Sequence, residues 1–251
     1  MDLGLAGRNV VVTGGSRGIG RQIALAFARE GANVALCARH AGPLAETEAE
    51  LRRHGVNVCA ARCDIGVKPE LEAFLEQARH SLGGVDVLVN NPSALAMTDD
   101  PHGWEASLNI DLMASVHATW KVVPWMEAAG GGCLLFLSSG SGLEAGSPPA
   151  YAAAKAAIIS YSKTLSVDLA PKRIRVNTLA PGSIEFSGGY WDRVRNSDPA
   201  LYEHVRATIP WGRMGTPEEV ADVAVFLCSP RASWVTGVCL AVDGAQHKGN
   251  L

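Results

Sequence analysis

Two short stretches hold residue types that could do chemistry together. Tyr151-Ala152-Ala153-Ala154-Lys155 sets a phenol and an ammonium four residues apart, the spacing that puts two side chains on one face of a helix. A phenol ordinarily titrates near pH 10 and is a poor base at neutral pH. Lowering that value by ~3 units takes roughly 4 kcal/mol of preferential stabilisation of the phenolate, and a neighbouring ammonium is a credible source. The pair reads as a proton donor and acceptor with its charge partner. A solvated pair on a helix surface is the plain alternative. The second stretch is Asn9-Val10-Val11-Val12-Thr13-Gly14-Gly15-Ser16-Arg17-Gly18-Ile19-Gly20. Its valines read as a strand buried on both faces, and Ile23, Ala24, Phe27 and Ala28 follow at helical spacing. Strand, glycine turn and helix together offer free backbone N–H groups and a positive helix end to a phosphate. Gly14 is expected to take torsions other residues avoid, Gly18 to let the backbone approach an anion, and Gly20 to pack helix on strand. The spacing G-x-x-x-G-x-G differs from the G-x-G-x-x-G fingerprint and from a phosphate loop ending in Lys-Ser/Thr. An ordinary tight connection in an α/β domain is the alternative here.

The elements that must position these groups can be read along the chain. Strands are expected at 33–38, 57–61, 85–89, 133–137, 174–179 and 238–242 after the first at 9–13. Helices are expected at 43–54, 68–82, 150–169 and 217–228, with a long helical region over 102–126 bent near Pro124. Residues 181–212 form an excursion rich in Gly, Pro and aromatics. Strands alternating with helices imply βαβ units and a parallel sheet covered on both faces. Right-handed crossovers make it doubly wound. The fold class is therefore α/β: one Rossmann-like domain over 1–251 with about seven strands and no dividing linker.

Composition closes off several function classes. At 251 residues, 47% hydrophobic and 19% charged, the chain is long enough for one large core and has no signature of disorder. A formal net charge of -3 leaves no electrostatic footprint for nucleic acid or an anionic membrane. The six cysteines include no C-x-x-C pair, so they read as free buried thiols in a reducing cytoplasm, with no metal site. The N-terminus from Met1 lacks a basic n-region and a long apolar core, and no apolar run of about 18 residues exists.

The end of the second strand bears on the nucleotide. A dinucleotide fold that takes NAD generally places Asp or Glu there to bind the adenosine ribose hydroxyls. Here Ala38 holds that place, followed by Arg39 and His40, with Arg17 in the glycine turn. A carboxylate would repel a 2′-phosphate, and two guanidiniums bind one by charge-assisted hydrogen bonds. NADP is the expected cofactor over NAD. Otherwise Arg39 starts a solvated helix and Arg17 faces water.

Taken together, Thr13-Gly14-x-x-x-Gly18-x-Gly20, Tyr151-x-x-x-Lys155 and Ala180-Pro181-Gly182 resemble the short-chain dehydrogenase/reductase family. Pro210-Trp211-Gly212-Arg213 and Val242-Asp243-Gly244 extend the resemblance over essentially the whole chain. Its 3-oxoacyl-[acyl-carrier-protein] reductases are the most similar in flavour. The resemblance implies cofactor contacts from Gly14, Ser16, Arg17, Gly18, Ile19, Gly20 and Arg39. It also implies them from Asp64 (toward the adenine), Ile65, Asn90, Tyr151, Lys155, Pro181, Gly182 and Ile184. Asn90 would mainly tie neighbouring strands. Two departures stand out: Pro92-Ser93 replaces Ala-Gly after the asparagines, where proline removes an N–H, and Phe186 replaces a threonine expected to touch the diphosphate.

The resemblance further implies a serine that holds the substrate oxygen and an asparagine that supports a water relay. Ser139 fits the strand-end pattern, while a thirteen-residue count back from Tyr151 gives Ser138. Ser139 is preferred because strand ends shift less than loops. Asn109 is the match for the asparagine. Residues 183–212 read as a substrate lid, with Tyr190, Trp191, Tyr202 and Trp211 either lining an apolar pocket or packing the loop. The expected activity is hydride transfer between a nicotinamide and a ketone or secondary alcohol, possible 3-oxoacyl thioesters included, in a homo-oligomer (tetramer or dimer). An NAD-dependent alcohol or diol dehydrogenase and a non-catalytic dinucleotide-binding regulator are the rival readings.

Overall fold

The computed structural model describes residues 2–249, so Met1, where the N-terminal reading begins, lies outside them. Seven strands form one parallel sheet in the order β3-β2-β1-β4-β5-β6-β7. They are β1 (Asn9–Thr13), β2 (Asn33–Ala38), β3 (Val58–Arg62), β4 (Val87–Asn90), β5 (Gly132–Leu137), β6 (Ile174–Pro181) and β7 (Cys239–Val242). Alternation along the strands sends side chains into two separate cores. Val10 and Val12 pack with helix α1 (Gly18–Arg29) and helix α9 (Pro217–Cys228) on one face. Val11, Leu134 and Phe136 pack with α3 (Lys68–Leu82), α5 (Ala114–Ala128) and α6 (Pro149–Leu169) on the other. Burial on both faces is why these strands are unbroken apolar runs rather than alternating ones.

Strand order reverses between β1 and β4. In an open α/β sheet that reversal leaves a crevice outside the carboxyl ends of the strands. All candidate site residues are carried by segments that leave those ends.

Two segments differ from the sequence expectation. The long helical region is interrupted not at Pro124, which lies inside α5, but at residues Ser107–Met113. There α4 (Pro101–Ala106) passes into a π-helical stretch whose bonds close one residue wider, the Ala114 N–H reaching the Asn109 carbonyl. The excursion after β6 is largely helical, with α7 (Tyr190–Ser197) and α8 (Pro199–Thr208) packed around Val194, Tyr202, Ile209 and Met214. Asp198 caps α8 through the Leu201 N–H. The remaining helix, α2, spans Ala41–Arg52. Among the described residues no helix is long and apolar enough to cross a membrane, and no cluster of His, Cys, Asp or Glu could hold a metal ion. All six cysteines are unpaired.

Candidate active site

One cleft of about 910 Å³ runs along the carboxyl ends of the strands, and the glycine turn and the Tyr151/Lys155 pair both open onto it. At the turn, Gly14 and Gly18 have φ of +69° and +53°, a region in which a Cβ is penalised. A Cβ on Gly20 would collide with the Gly14 carbonyl oxygen, so the third glycine lets helix α1 start directly against the turn. The α1 N-terminus has no side-chain cap and no acidic residue in its first turn. Its N–H groups are left for an anion in the cleft. This cradle fits a dinucleotide diphosphate.

Ser16, Arg17, Ile19, Arg39, Asp64 and Ile65 border the same cleft. Arg17 and Arg39 are exposed and take part in no ion pair among the described residues. Arg62 donates from Nε to the Arg39 carbonyl at 3.1 Å, fixing the backbone at the end of β2. Asp64 accepts from the Gly66 N–H at 3.0 Å, which pins its carboxylate at the rim. Pro181, Gly182 and Ile184 line the opposite wall, where the Ser183 N–H donates to Gln246 at 2.8 Å. The Phe186 ring lies over Gly18, at 2.5 Å from where a Cβ would be. It thus covers the turn with an apolar face at the place where a threonine hydroxyl was expected.

The strand-tying role expected of Asn90 falls to its neighbour Asn91. Asn90 is buried, both its side-chain polar atoms lack a partner, and it does not reach the cleft. Asn91 does the tying. Its Nδ2 donates to the Thr13 and Gly14 carbonyls at 3.2 and 3.1 Å, its N–H donates to Thr13 Oγ1 at 3.1 Å, and it lines the cleft. A side chain at the last residue of β4 points into a sheet face, whereas the next residue has left the ladder and turns back over β1.

At the catalytic end, α6 starts with Pro149 at its N-terminus and buries Tyr151, Ala154, Lys155 and Ile158. Tyr151 and Lys155 lie on one face, with Nζ 5.7 Å from the Tyr151 ring centroid. The ammonium is 2% exposed and is held by carbonyls at the ends of two strands: it donates to Pro92 at 3.0 Å and to Leu137 at 3.1 Å. Pro92 has no N–H to offer, and its carbonyl is what it contributes.

The two serines separate cleanly. Ser138 Oγ donates to the Lys155 carbonyl at 2.8 Å and is buried against α6. Ser139, one residue on, is partly exposed to the cleft and accepts from the Ser141 N–H at 3.1 Å. Its hydroxyl hydrogen therefore remains free to donate. Adjacent residues leaving an extended strand point to opposite sides, which is the origin of the difference.

Asn109 is not brought to the pair. It is exposed, and its Nδ2 donates to the Gly66 carbonyl at 3.2 Å. The residue that arrives instead is Asp111, wholly buried, with Oδ1 3.1 Å from Lys155 Nζ and Oδ2 accepting from the Ala94 N–H at 3.2 Å. Ser107, Asp111, Ser115 and Thr119 are all buried. They recur every fourth residue, and Asn109 lies off that buried stripe.

The aromatic residues of the excursion after β6 divide as well. Tyr190 and Trp191 line the cleft, edge to face at 5.1 Å. Tyr202 instead packs with Val194, Ile209 and Met214 and donates to Glu185 at 2.7 Å, and Trp211 is 71% exposed. Sequence reasoning also missed Asp243 and His247 at the cleft wall, whose carboxylate and ring Nδ1 meet at 2.5 Å.

Residues 14–247 match the family described as enoyl-(acyl carrier protein) reductase. The chain is 36% identical over 254 residues to isoepoxydon dehydrogenase of Penicillium expansum, covering 98% of this chain and 97% of that one. It is 34% identical to 7alpha-hydroxysteroid dehydrogenase of Escherichia coli, covering 97% and 95%. Among solved structures, L-sorbose reductase from Gluconobacter frateurii in complex with NADPH and L-sorbose superposes with a TM-score of 0.90 at 33% identity, over 99% of this chain and 100% of that one. The 7α-hydroxysteroid dehydrogenase complex with NADH and 7-oxo glycochenodeoxycholic acid gives 0.91 at 34%, over 97% and 96%. The chain belongs to the short-chain dehydrogenase/reductase family and is one of its oxidoreductases acting on CH–OH and C=O groups.

Proposed function

We propose that the protein is an NADP-dependent carbonyl reductase, or alcohol dehydrogenase in reverse, acting on a ketone or secondary alcohol. The observation that carries this reading is a single cleft with the anion-binding turn at one end and Tyr151, Lys155 and Ser139 at the other. When bound, a nicotinamide supplies or accepts the hydride. In reduction, Tyr151 donates its phenolic proton to the carbonyl oxygen and Ser139 Oγ donates a hydrogen bond to the same oxygen. The Lys155 ammonium faces Tyr151 and compensates the negative charge left on it. It also holds the nicotinamide ribose.

Arg17 and Arg39, unpaired at the cleft rim with no carboxylate at Ala38, support NADP over NAD. Glycine turn, Asp64, Ile65, Asn91, Pro181, Gly182 and Ile184 bind the rest of the dinucleotide. Asn90 has no place in that set. The unpaired thiols support a reducing, cytoplasmic location. Exposed apolar residues such as Trp120 and Trp234 support a homo-oligomer, a dimer or tetramer, which light scattering would size.

The test is a panel of cyclohexanone, L-sorbose, a 7-oxo bile salt and acetoacetyl thioester, assayed for oxidation of NADPH and of NADH. Ketone-dependent oxidation faster with NADPH is the expected result. Faster oxidation of NADH supports the NAD-dependent dehydrogenase instead. Dinucleotide binding with no turnover of any member supports the non-catalytic regulator.

A further inference from the structure

The side chain that meets Lys155 is a carboxylate, and both partners are out of water. Asp111 is 0% and Lys155 2% exposed, with 3.1 Å between Oδ1 and Nζ. The contact is one of charge rather than a directed hydrogen bond, because Oδ1 accepts none. Two of the three ammonium hydrogens already go to Pro92 and Leu137. The wide π-helical stretch holds Asp111 in place, and the Ala94 N–H fixes its second oxygen. We propose that Asp111 is a positioning residue that offsets the Lys155 charge and so weakens its pull on the Tyr151 phenol, biasing the site toward carbonyl reduction. This inference rests on the Tyr151/Lys155 reading given above.

The surroundings leave Asp111 as the one counter-charge. Lys155 has no other ion-pair partner among the described residues. On the elements packed against α6, Arg175 of β6 is spent on the Leu227, Val235 and Ser229 carbonyls. His102 and Glu105 of α4 are exposed. Beyond the short turn at Gly140–Gly142, Glu144 accepts from the Lys248 N–H, and Asp243 is paired with His247. A neutral amide at position 111 would leave the full ammonium charge acting on Tyr151, which favours the phenolate and hence proton abstraction from an alcohol.

The experiment is kcat/KM against pH, in both directions, for Asp111→Asn and wild type, using the fastest-reduced panel member and its alcohol. Asparagine keeps the size and the acceptor for Ala94. The Tyr151-dependent limb is expected to move about one pH unit toward acid in both directions, with oxidation near pH 7 rising up to about tenfold. An unchanged limb, whatever happens to the rate, overturns the proposal. Tyr151→Phe runs in parallel: if it keeps a tenth of wild-type turnover, the catalytic reading itself has failed. If Asp111→Asn does not fold, Asp111→Ser is compared with wild type in the same way: a limb moved toward acid supports the proposal, and an unchanged limb contradicts it.

Discussion

The two ends of the cleft are built from different materials. The nucleotide end consists of backbone and exposed charge: a glycine turn, an uncapped helix start, and two arginines in solvent. The catalytic end consists of side chains withdrawn from water, with Lys155 and Asp111 sealed beneath Tyr151 and Ser138 bonded to the helix behind them. A backbone cradle tolerates change at its rim, because each exposed contact is screened and replaceable by water. A buried constellation does not, because removing one member leaves another unpaired. Substitutions at the two ends should therefore fail differently, one set in affinity and the other in turnover.

The largest contrast within the catalytic end is between neighbouring serines. Ser139→Ala removes the donor to the substrate oxygen and should lower kcat by roughly 10²-fold or more. Ser138→Ala removes only the bond to the Lys155 carbonyl, so it should cost about 1 kcal/mol of stability and little turnover. Steady-state kinetics and thermal unfolding on both variants check this. A reversed ranking would show that the count from Tyr151, not the strand end, locates the catalytic hydroxyl.

At the nucleotide end, Arg39→Ala should weaken NADPH roughly ten- to a hundredfold, since a charge-assisted bond contributes about 1.5–3 kcal/mol. NADH should be almost unaffected. Ala38→Asp should turn the preference toward NADH by adding ribose bonding and phosphate repulsion. The ratio of kcat/KM for the two cofactors reads both effects, and a wild type that prefers NADH would return Arg39 to solvent.

The smallest effect lies outside both ends, at the start of α9. Arg213 grips Glu219 through both guanidinium nitrogens, and Glu219 closes a capping box with Thr216, which together hold its carboxyl down to about 2. The folded value lies below the unfolded one, so this stabilisation is present above about pH 4.5 and is lost as pH falls toward 2. The groups are half-exposed, which limits it to ~1 kcal/mol. Glu219→Gln should lower the unfolding midpoint slightly at pH 7 and not at all near pH 2. Urea titrations at the two pH values test the sign.

How far each end could be read in the sequence follows from the same difference. Strand β1, the glycine turn and α1 are contiguous, and their torsional and packing demands fall on neighbouring residues, so Gly14, Gly18 and Gly20 announce themselves. Tyr151 and Lys155 were legible because one helix carries both. Asp111 was not, because a charge within a helix ordinarily marks a solvated face. Its burial depends on the π-helical turn and on α6 packing across it. Asn91 took the role expected of Asn90 because a one-residue difference in where β4 ends decides which side chain leaves the ladder. The excursion after β6 was legible as a unit, but its helices were hidden by the Gly, Pro and aromatic content of their flanks.

The proposed function requires that Tyr151 act in proton transfer while the dinucleotide is held elsewhere. Tyr151→Phe removes one hydroxyl and leaves the ring packing and the glycine turn intact. Single-turnover reduction and NADPH binding by fluorescence, measured on the same preparation, should separate. Turnover should fall by 10² or more, as loss of general acid catalysis requires (~10² to 10⁴), with the NADPH dissociation constant within about twofold of wild type. A variant that keeps a tenth of the rate, or that loses NADPH together with turnover, would contradict that role for Tyr151.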